Sequence, residues 1–223
     1  HSAFSADLIT QPTAGASVRL PHNAVDLEMT YLDERSYQKE FGYQYTLVWK
    51  PEYAGREISL EFDGAMANNV VWVNGQQAVA HKDGYTPFSA RLTGLLKEGD
   101  NLITVKIDGS ENPEIPPFGG QIDYLTYAGI YRDVWLKLAD AVSIAKFKVE
   151  TSAELTDAKG VSVTGFVANP TQAAFTGTAL VELCSVDGAV LHHQTTEVSG
   201  STFTVAFERL AGSAASARKR VKR

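Results

Sequence analysis

The sequence holds a single cysteine, Cys184, among 223 residues. One thiol excludes an intramolecular disulfide framework and leaves the compartment open, with secreted, periplasmic and cytoplasmic settings all admissible. No apolar run approaches the roughly 20 residues that a membrane-spanning helix needs. No stretch keeps a 3.6-residue period bounded by helix caps. Positive charge is scarce and badly distributed. Five of the 20 Lys and Arg lie in Arg218–Arg223, so residues 1–217 carry 15 basic against 26 acidic side chains, a net of −11. So acidic a body does not suit nucleic acid, where a basic face must displace counterions. The chain opens on His1 and not on Met. Its original start is therefore expected to have been removed by processing or trimming, and a secretory leader could have gone with it.

What is present is alternation. Ile58, Leu60 and Phe62 interleave with Glu57, Ser59 and Glu61, the period-2 pattern of a half-buried strand. Ile103, Val105 and Ile107 repeat it, as do Val134, Leu136 and Leu138. The run "VVWVNGQQAVA" breaks at Asn74-Gly75, a pair that tolerates the positive φ angles of a tight type I′ hairpin. With 44% hydrophobic residues the chain can build sizeable cores, and its class is all-β.

The rhythm of the strands changes near Asp140. Before it, strands are separated by long loops bearing aromatics, above all "DGSENPEIPPFGGQIDYLTYAG". After it, short strands succeed one another with turn residues between, as in a small immunoglobulin-like sandwich. Residues 1–140 and 141–210 are thus expected to be separate sandwiches. The second is expected to be cut short, and residues 211–223 to form a disordered basic tail.

Four segments occur in order: "LPHNAVD" at 20–26, "LEFDGAMANNVVWVNGQ" at 60–76, "HKDGYTPFSARLTGLLKEGDNLITVKID" at 81–108 and "GIYRDVWL" at 129–136. Together they resemble the amino-terminal sugar-binding jelly roll of glycoside hydrolase family 2, which contains β-galactosidases, β-glucuronidases and β-mannosidases. The likeness covers about residues 18–140, and the remainder of the chain resembles part of that family's immunoglobulin-like domain. It implies a galactose-binding-like jelly-roll sandwich followed by a smaller immunoglobulin-like sandwich. One departure is local: the family often reads LPHDW where this chain has Leu20-Pro21-His22-Asn23-Ala24. The other is large, since the family's catalytic (β/α)8 barrel is missing. Retaining glycosidases need two carboxyls about 5–5.5 Å apart, and in this family both are barrel glutamates. No catalytic residue is therefore assigned here, and the chain alone is expected to be inactive. The resemblance makes the barrel of the same parent polypeptide its partner and carbohydrate its ligand.

Asp123 is the first sugar-binding candidate. It lies six residues before Gly129. In related β-galactosidases an aspartate at that spacing reaches the mouth of the active site, beside a terminal sugar and a monovalent cation. A carboxylate can take two sugar hydroxyls in charge-assisted hydrogen bonds; the plain alternative is a solvated loop acid. The resemblance implies no cofactor for this chain, but a monovalent or divalent cation in the intact enzyme. Asp83 and Tyr85, in "DGYTPF", form the second candidate, because an aromatic face can stack on sugar C–H surfaces. Tyr85 and Phe88 could equally plug the loop onto the sheet. Trp72 and Trp135 sit in strand patterns and read as core or interface.

Three further features read as structural. Arg132 and Asp133, taken as adjacent strand residues, point to opposite faces and so cannot pair with each other. His192-His193 cannot chelate one metal from a regular strand for the same reason. Glu111 and Glu114 lie in a proline-stiffened acidic loop that reads as solvated surface and not as a calcium site. Two alternatives to an accessory region of an enzyme stay open: a free-standing carbohydrate-binding module, and an adhesive or scaffold sandwich.

Overall fold

In the computed structural model, residues 1–26, 30, 33–116, 126–153, 155, 159–170 and 172–210 are described. They form strands, three short 3-10 turns and, among the described residues, no α-helix. The chain divides into two compact units, His1–Ala139 and Asp140–Arg223. The architecture is all-β: a jelly-roll sandwich followed by a smaller immunoglobulin-like sandwich.

The first unit contains β1 (Ser2–Ala3), β2 (Glu40–Val48), β3 (Arg56–Phe62), β4 (Asn68–Val73), β5 (Gln76–Lys82), β6 (Phe88–Arg91), β7 (Asp100–Asp108) and β8 (Val134–Asp140). One sheet runs β1-β2-β7-β4-β5 and the other β6-β3-β8. β2 and β7 pair antiparallel from Glu40↔Asp108 to Val48↔Asp100, a non-local pairing that joins distant parts of the chain. The alternation read from the sequence faces inward as expected. Ile58, Phe62, Ile103, Val105 and Ile107 are buried, and Leu60, Val134, Leu136 and Leu138 pack against them. Each such side chain contributes about 1.5–3 kcal/mol of transfer free energy. Across the β3–β6 pair, Phe62 sits opposite Phe88 with the rings stacked at 4.6 Å. At the β4–β5 turn, Asn74 and Gly75 have φ of 51° and 86°. Both are positive, as a type I′ turn requires.

The middle of the outer face of the five-stranded sheet is covered by the N-terminal segment. Its 3-10 turn, Ala6–Ile9, buries Leu8. The Leu8 carbonyl accepts hydrogen bonds from Thr104 Oγ1 at 2.6 Å and Gln44 Nε2 at 2.7 Å. Phe4 stacks on Trp72 at 5.9 Å. Trp72 is therefore half-buried under this segment, whereas Trp135, read with it as core or interface, is an exposed side chain.

The second unit contains β9 (Ser143–Ser152), β10 (Gly160–Ala168), β11 (Gly177–Cys184), β12 (Val190–Val198) and β13 (Thr202–Phe207), in sheets β13-β10-β9 and β11-β12. Its core is small: Leu183, Val205 and Phe207 are buried, with Val161, Val181, Phe203 and Leu210 packed around them. Cys184 is buried and free. His192 and His193 are both exposed on β12, opposite Leu183 and Glu182 on β11.

Candidate functional site

The segments at 20–26, 60–76, 81–108 and 129–136, scattered over more than a hundred residues, meet at one end of the jelly roll. Gly129 is the centre. On one side the 20–26 segment runs beside it, with His22 N donating to Ile130 O and Ala24 N to Ala128 O, both at 2.7 Å. On the other side Gly129 exchanges backbone hydrogen bonds with Met66, at 3.0 and 3.3 Å. Its φ is +132°, and a Cβ there would lie 2.6 Å from His22 O and 2.9 Å from Tyr43 Oη. Only glycine fits both the dihedral and the space.

The 81–108 segment joins through the side chains just after Gly129. Tyr131 Oη donates to Gly84 O at 2.6 Å, and Arg132 Nη1 reaches Tyr85 O at 3.1 Å and Asp63 O at 3.3 Å. The guanidinium also lies over the Tyr131 ring, 5.2 Å from its centroid, a cation–π arrangement. Trp135 Nε1 donates to Asp63 Oδ2 at 3.0 Å. Burial pushes the Tyr131 phenol up, against an opposing pull from Arg132. Its hydroxyl therefore stays protonated as the donor to Gly84.

Among the candidate residues, Asp83 has φ +142° and both carboxylate oxygens engaged. Oδ1 accepts from Tyr85 N at 2.8 Å and Oδ2 from Thr86 Oγ1 at 3.1 Å. This Asx turn stiffens the loop. His81 supports it from below, with Nε2 3.1 Å from Thr86 Oγ1 and its ring stacked on Phe88 at 4.5 Å. Phe88 is buried, whereas Tyr85 is 37% exposed. Thus Phe88 plugs the sheet while the Tyr85 ring stays accessible. Asp123 lies outside the described residues, as do residues 211–223. The described part of the preceding loop is folded back. Ile115 is buried against Met66 and Ala67, and Glu114 pairs with Lys82 at 3.2 Å. Among the described residues, no three His, Cys, Asp or Glu side chains are grouped to hold a metal.

Arg132 and Asp133 differ from the sequence reading in one respect: they precede β8 and are not strand residues. Arg132 turns toward two carbonyls of other loops, and Asp133 uses its own carbonyl to accept from Asp63 N at 3.0 Å. The Asp63–Arg132–Trp135 constellation is invisible in the sequence. Its members stand inside two of the four ordered segments, but nothing local signals that they meet.

Beneath this end, His22 Nδ1 lies 2.9 Å from Tyr43 Oη. Burial pushes the Tyr43 phenol up to about 12. Burial holds the His22 imidazole below its usual 6.5, with Asp26 opposing. A depressed histidine makes the unfolded chain bind more protons, so stability rises with pH across this window. The contribution is fully present above pH 6.5 and is lost as pH falls through the folded-state value. His22 should therefore contribute a lower melting temperature at pH 5.5 than at pH 7.5, and His22→Gln should remove that contribution, read as a smaller difference between the two pH values.

Residues 23–139 match the family model described as glycosyl hydrolases family 2, sugar binding domain. The chain is 49% identical over 191 residues to a β-galactosidase of Rhizobium meliloti, covering 85% of this chain and 25% of that protein. Among solved structures it is similar to a putative β-galactosidase from Bacteroides fragilis, with a TM-score of 0.78 and 24% identity over 86% of this chain and 30% of that one. It is also similar to Bacteroides uniformis β-glucuronidase 2, with a TM-score of 0.75 and 22% identity over 92% and 26% of the two chains. At these identities the structural likenesses speak for the fold. The chain spans about a quarter of the length of the relatives it matches.

Proposed function

Because the chain belongs to glycosyl hydrolase family 2, with its sugar-binding domain at residues 23–139, we propose that it is a non-catalytic region of a longer retaining exo-β-glycosidase of β-galactosidase type. In that enzyme the jelly roll packs on the catalytic (β/α)8 barrel and supplies a wall of the sugar pocket. The observation that carries this reading is the 49% identity, over 85% of the chain, to a protein named β-galactosidase of which it covers a quarter.

The chemistry divides accordingly. The acid/base and the nucleophile, a carboxyl pair about 5–5.5 Å apart, belong to the barrel. Asp123 contributes a carboxylate that accepts hydroxyls of the terminal sugar in charge-assisted hydrogen bonds. Tyr85 offers a ring from the 83–88 loop, and Asp83 holds that loop in shape through its two intraloop bonds.

Three measurements test it. The isolated chain should not turn over nitrophenyl β-galactoside. It should bind monosaccharides no better than about millimolar, near −4 kcal/mol, because exposed hydrogen bonds net only about 0.5–1.5 kcal/mol each. In the full-length enzyme, Asp123→Ala should lower kcat/KM about 100-fold or more while leaving the melting temperature unchanged. Micromolar monosaccharide binding by the isolated chain, insensitive to Asp123→Ala, would instead identify a self-sufficient binding module.

A further inference from the structure

The two sheets of the first unit differ on their outer faces. The N-terminal segment covers the middle of the five-stranded sheet, over Gly42, Gln44, Trp72 and Thr104. On β6-β3-β8, alternation sends Phe62, Phe88 and Leu136 inward and leaves Ser59, Glu61, Ser89, Trp135 and Lys137 outward. Trp135 is 58% exposed at the start of β8, although its strand neighbours Val134 and Leu136 pack into the core.

Its exposure is not that of a loose side chain. Nε1, the only polar atom of the indole, is held by Asp63 Oδ2 at 3.0 Å. The ring orientation is therefore set and what remains open is apolar ring surface. Around it stand polar groups that are organised but not used up. Glu61 Oε1 accepts from Ser59 Oγ at 2.7 Å and Ser89 Oγ at 3.0 Å, with Lys137 Nζ at 3.9 Å. Glu61 Oε2 and Asp63 Oδ1 have no partner among the described residues.

We propose that this face is a second saccharide-binding surface, on which one pyranose unit of a neutral oligo- or polysaccharide stacks on Trp135 and donates hydroxyls to Glu61 and Asp63. A pyranose has one C–H face and a rim of hydroxyls, which matches a single fixed ring bordered by free acceptors. A protein partner fits less well. Covering the ring with apolar surface would also desolvate Glu61, Asp63 and Lys137, and charged residues are depleted from the centres of protein interfaces. A saccharide leaves those groups half-open to water and replaces only part of their hydration. The proposed surface shares Asp63 with the Arg132 constellation, but its saccharide contacts, at Trp135, Glu61 and Asp63, do not involve Asp123.

The test is affinity electrophoresis of this chain in native gels containing soluble pectic galactan, galactomannan or xyloglucan. At least one polymer should retard the chain. Trp135→Ala should weaken the apparent affinity about tenfold, and Trp135→Phe, which keeps a ring but loses the Asp63 bond, only about threefold. If Trp135→Ala fails to fold, Glu61→Gln and Trp135→Phe carry the test, each with reduced retardation at an unchanged melting temperature. Retardation by none of the polymers, or retardation indifferent to all three substitutions, would overturn the proposal. So would sedimentation showing a dimer of the wild-type chain that Trp135→Ala dissolves, which would make the face a protein interface. The pocket-wall reading is judged by turnover of the intact enzyme and this one by retardation of the chain, so either can fail without the other.

Discussion

Gly129→Ala is expected to destabilise the jelly-roll unit by about 3 kcal/mol or more, which for a unit of this size lowers its melting temperature by roughly 8–15 °C. Two penalties add at this one residue. The backbone sits at φ +132°, where an L side chain is strained. The new methyl group would also lie 2.6 Å from His22 O, 2.9 Å from Ala24 N and 2.9 Å from Tyr43 Oη. Neither of the first two can yield without breaking the bonds that tie the 20–26 segment to Ala128 and Ile130. Relief by movement of Tyr43 would disturb a buried ring of the core and its contact with His22. A scanning calorimetry or circular dichroism melt decides the matter, and a loss below about 1 kcal/mol would mean that the segments around Gly129 adapt.

The second large effect is expected at Asn101, which is fully buried at the start of β7. Its Oδ1 accepts from Lys97 N and Asn74 Nδ2, each at 2.8 Å. Its Nδ2 lies within reach of Lys97 O at 2.9 Å, Gly99 O at 3.1 Å and Leu47 O at 3.3 Å. An amide nitrogen has two hydrogens, so one of these three contacts is shared. Asn74 continues the network, accepting from Leu102 N at 3.0 Å and donating to Leu95 O at 3.0 Å. One side chain thus ties the β4–β5 turn, the 95–99 loop, β2 and β7 together.

Asn101→Leu matches the volume but leaves several backbone groups and the Asn74 amide without partners. At about 1–3 kcal/mol for each buried group left unsatisfied, with partial relaxation, the net cost should be about 3–5 kcal/mol. Asn101→Asp should fare no better, because it removes both donors and buries a charge beside carbonyl oxygens. Urea titration should show a lower midpoint with an unchanged slope. A cycle with Asn74→Ala should reveal a coupling of at least about 0.5 kcal/mol; simple additivity would show that the two amides act independently.

Local chemistry is legible in the sequence itself. Strand alternation at Ile58, Leu60 and Phe62 and the Asn74-Gly75 turn depend on residues within a few positions of each other, and they stand where the sequence placed them. The all-β class and the family come from such patterns and from four ordered segments. Asp83 and Tyr85 are likewise visible as a loop with an aromatic tip, though not the Asx turn that separates accessible Tyr85 from buried Phe88. Arg132 and Asp133 have the pattern of alternating strand residues, but β8 begins only at Val134, since a strand's first residue depends on when its partner becomes available. What tertiary structure alone decided are the long-range unions. Trp135 finds Asp63 across 72 positions and Asn101 finds Leu47 across 54. Neither distance is encoded in a local period. Which polar side chains end as shared hubs, and which face of a strand stays open to a ligand, is set by sheet order and by what covers each sheet. The N-terminal segment lies over the five-stranded sheet and not over β6-β3-β8, so the same alternation buries Trp72 halfway and leaves Trp135 in water.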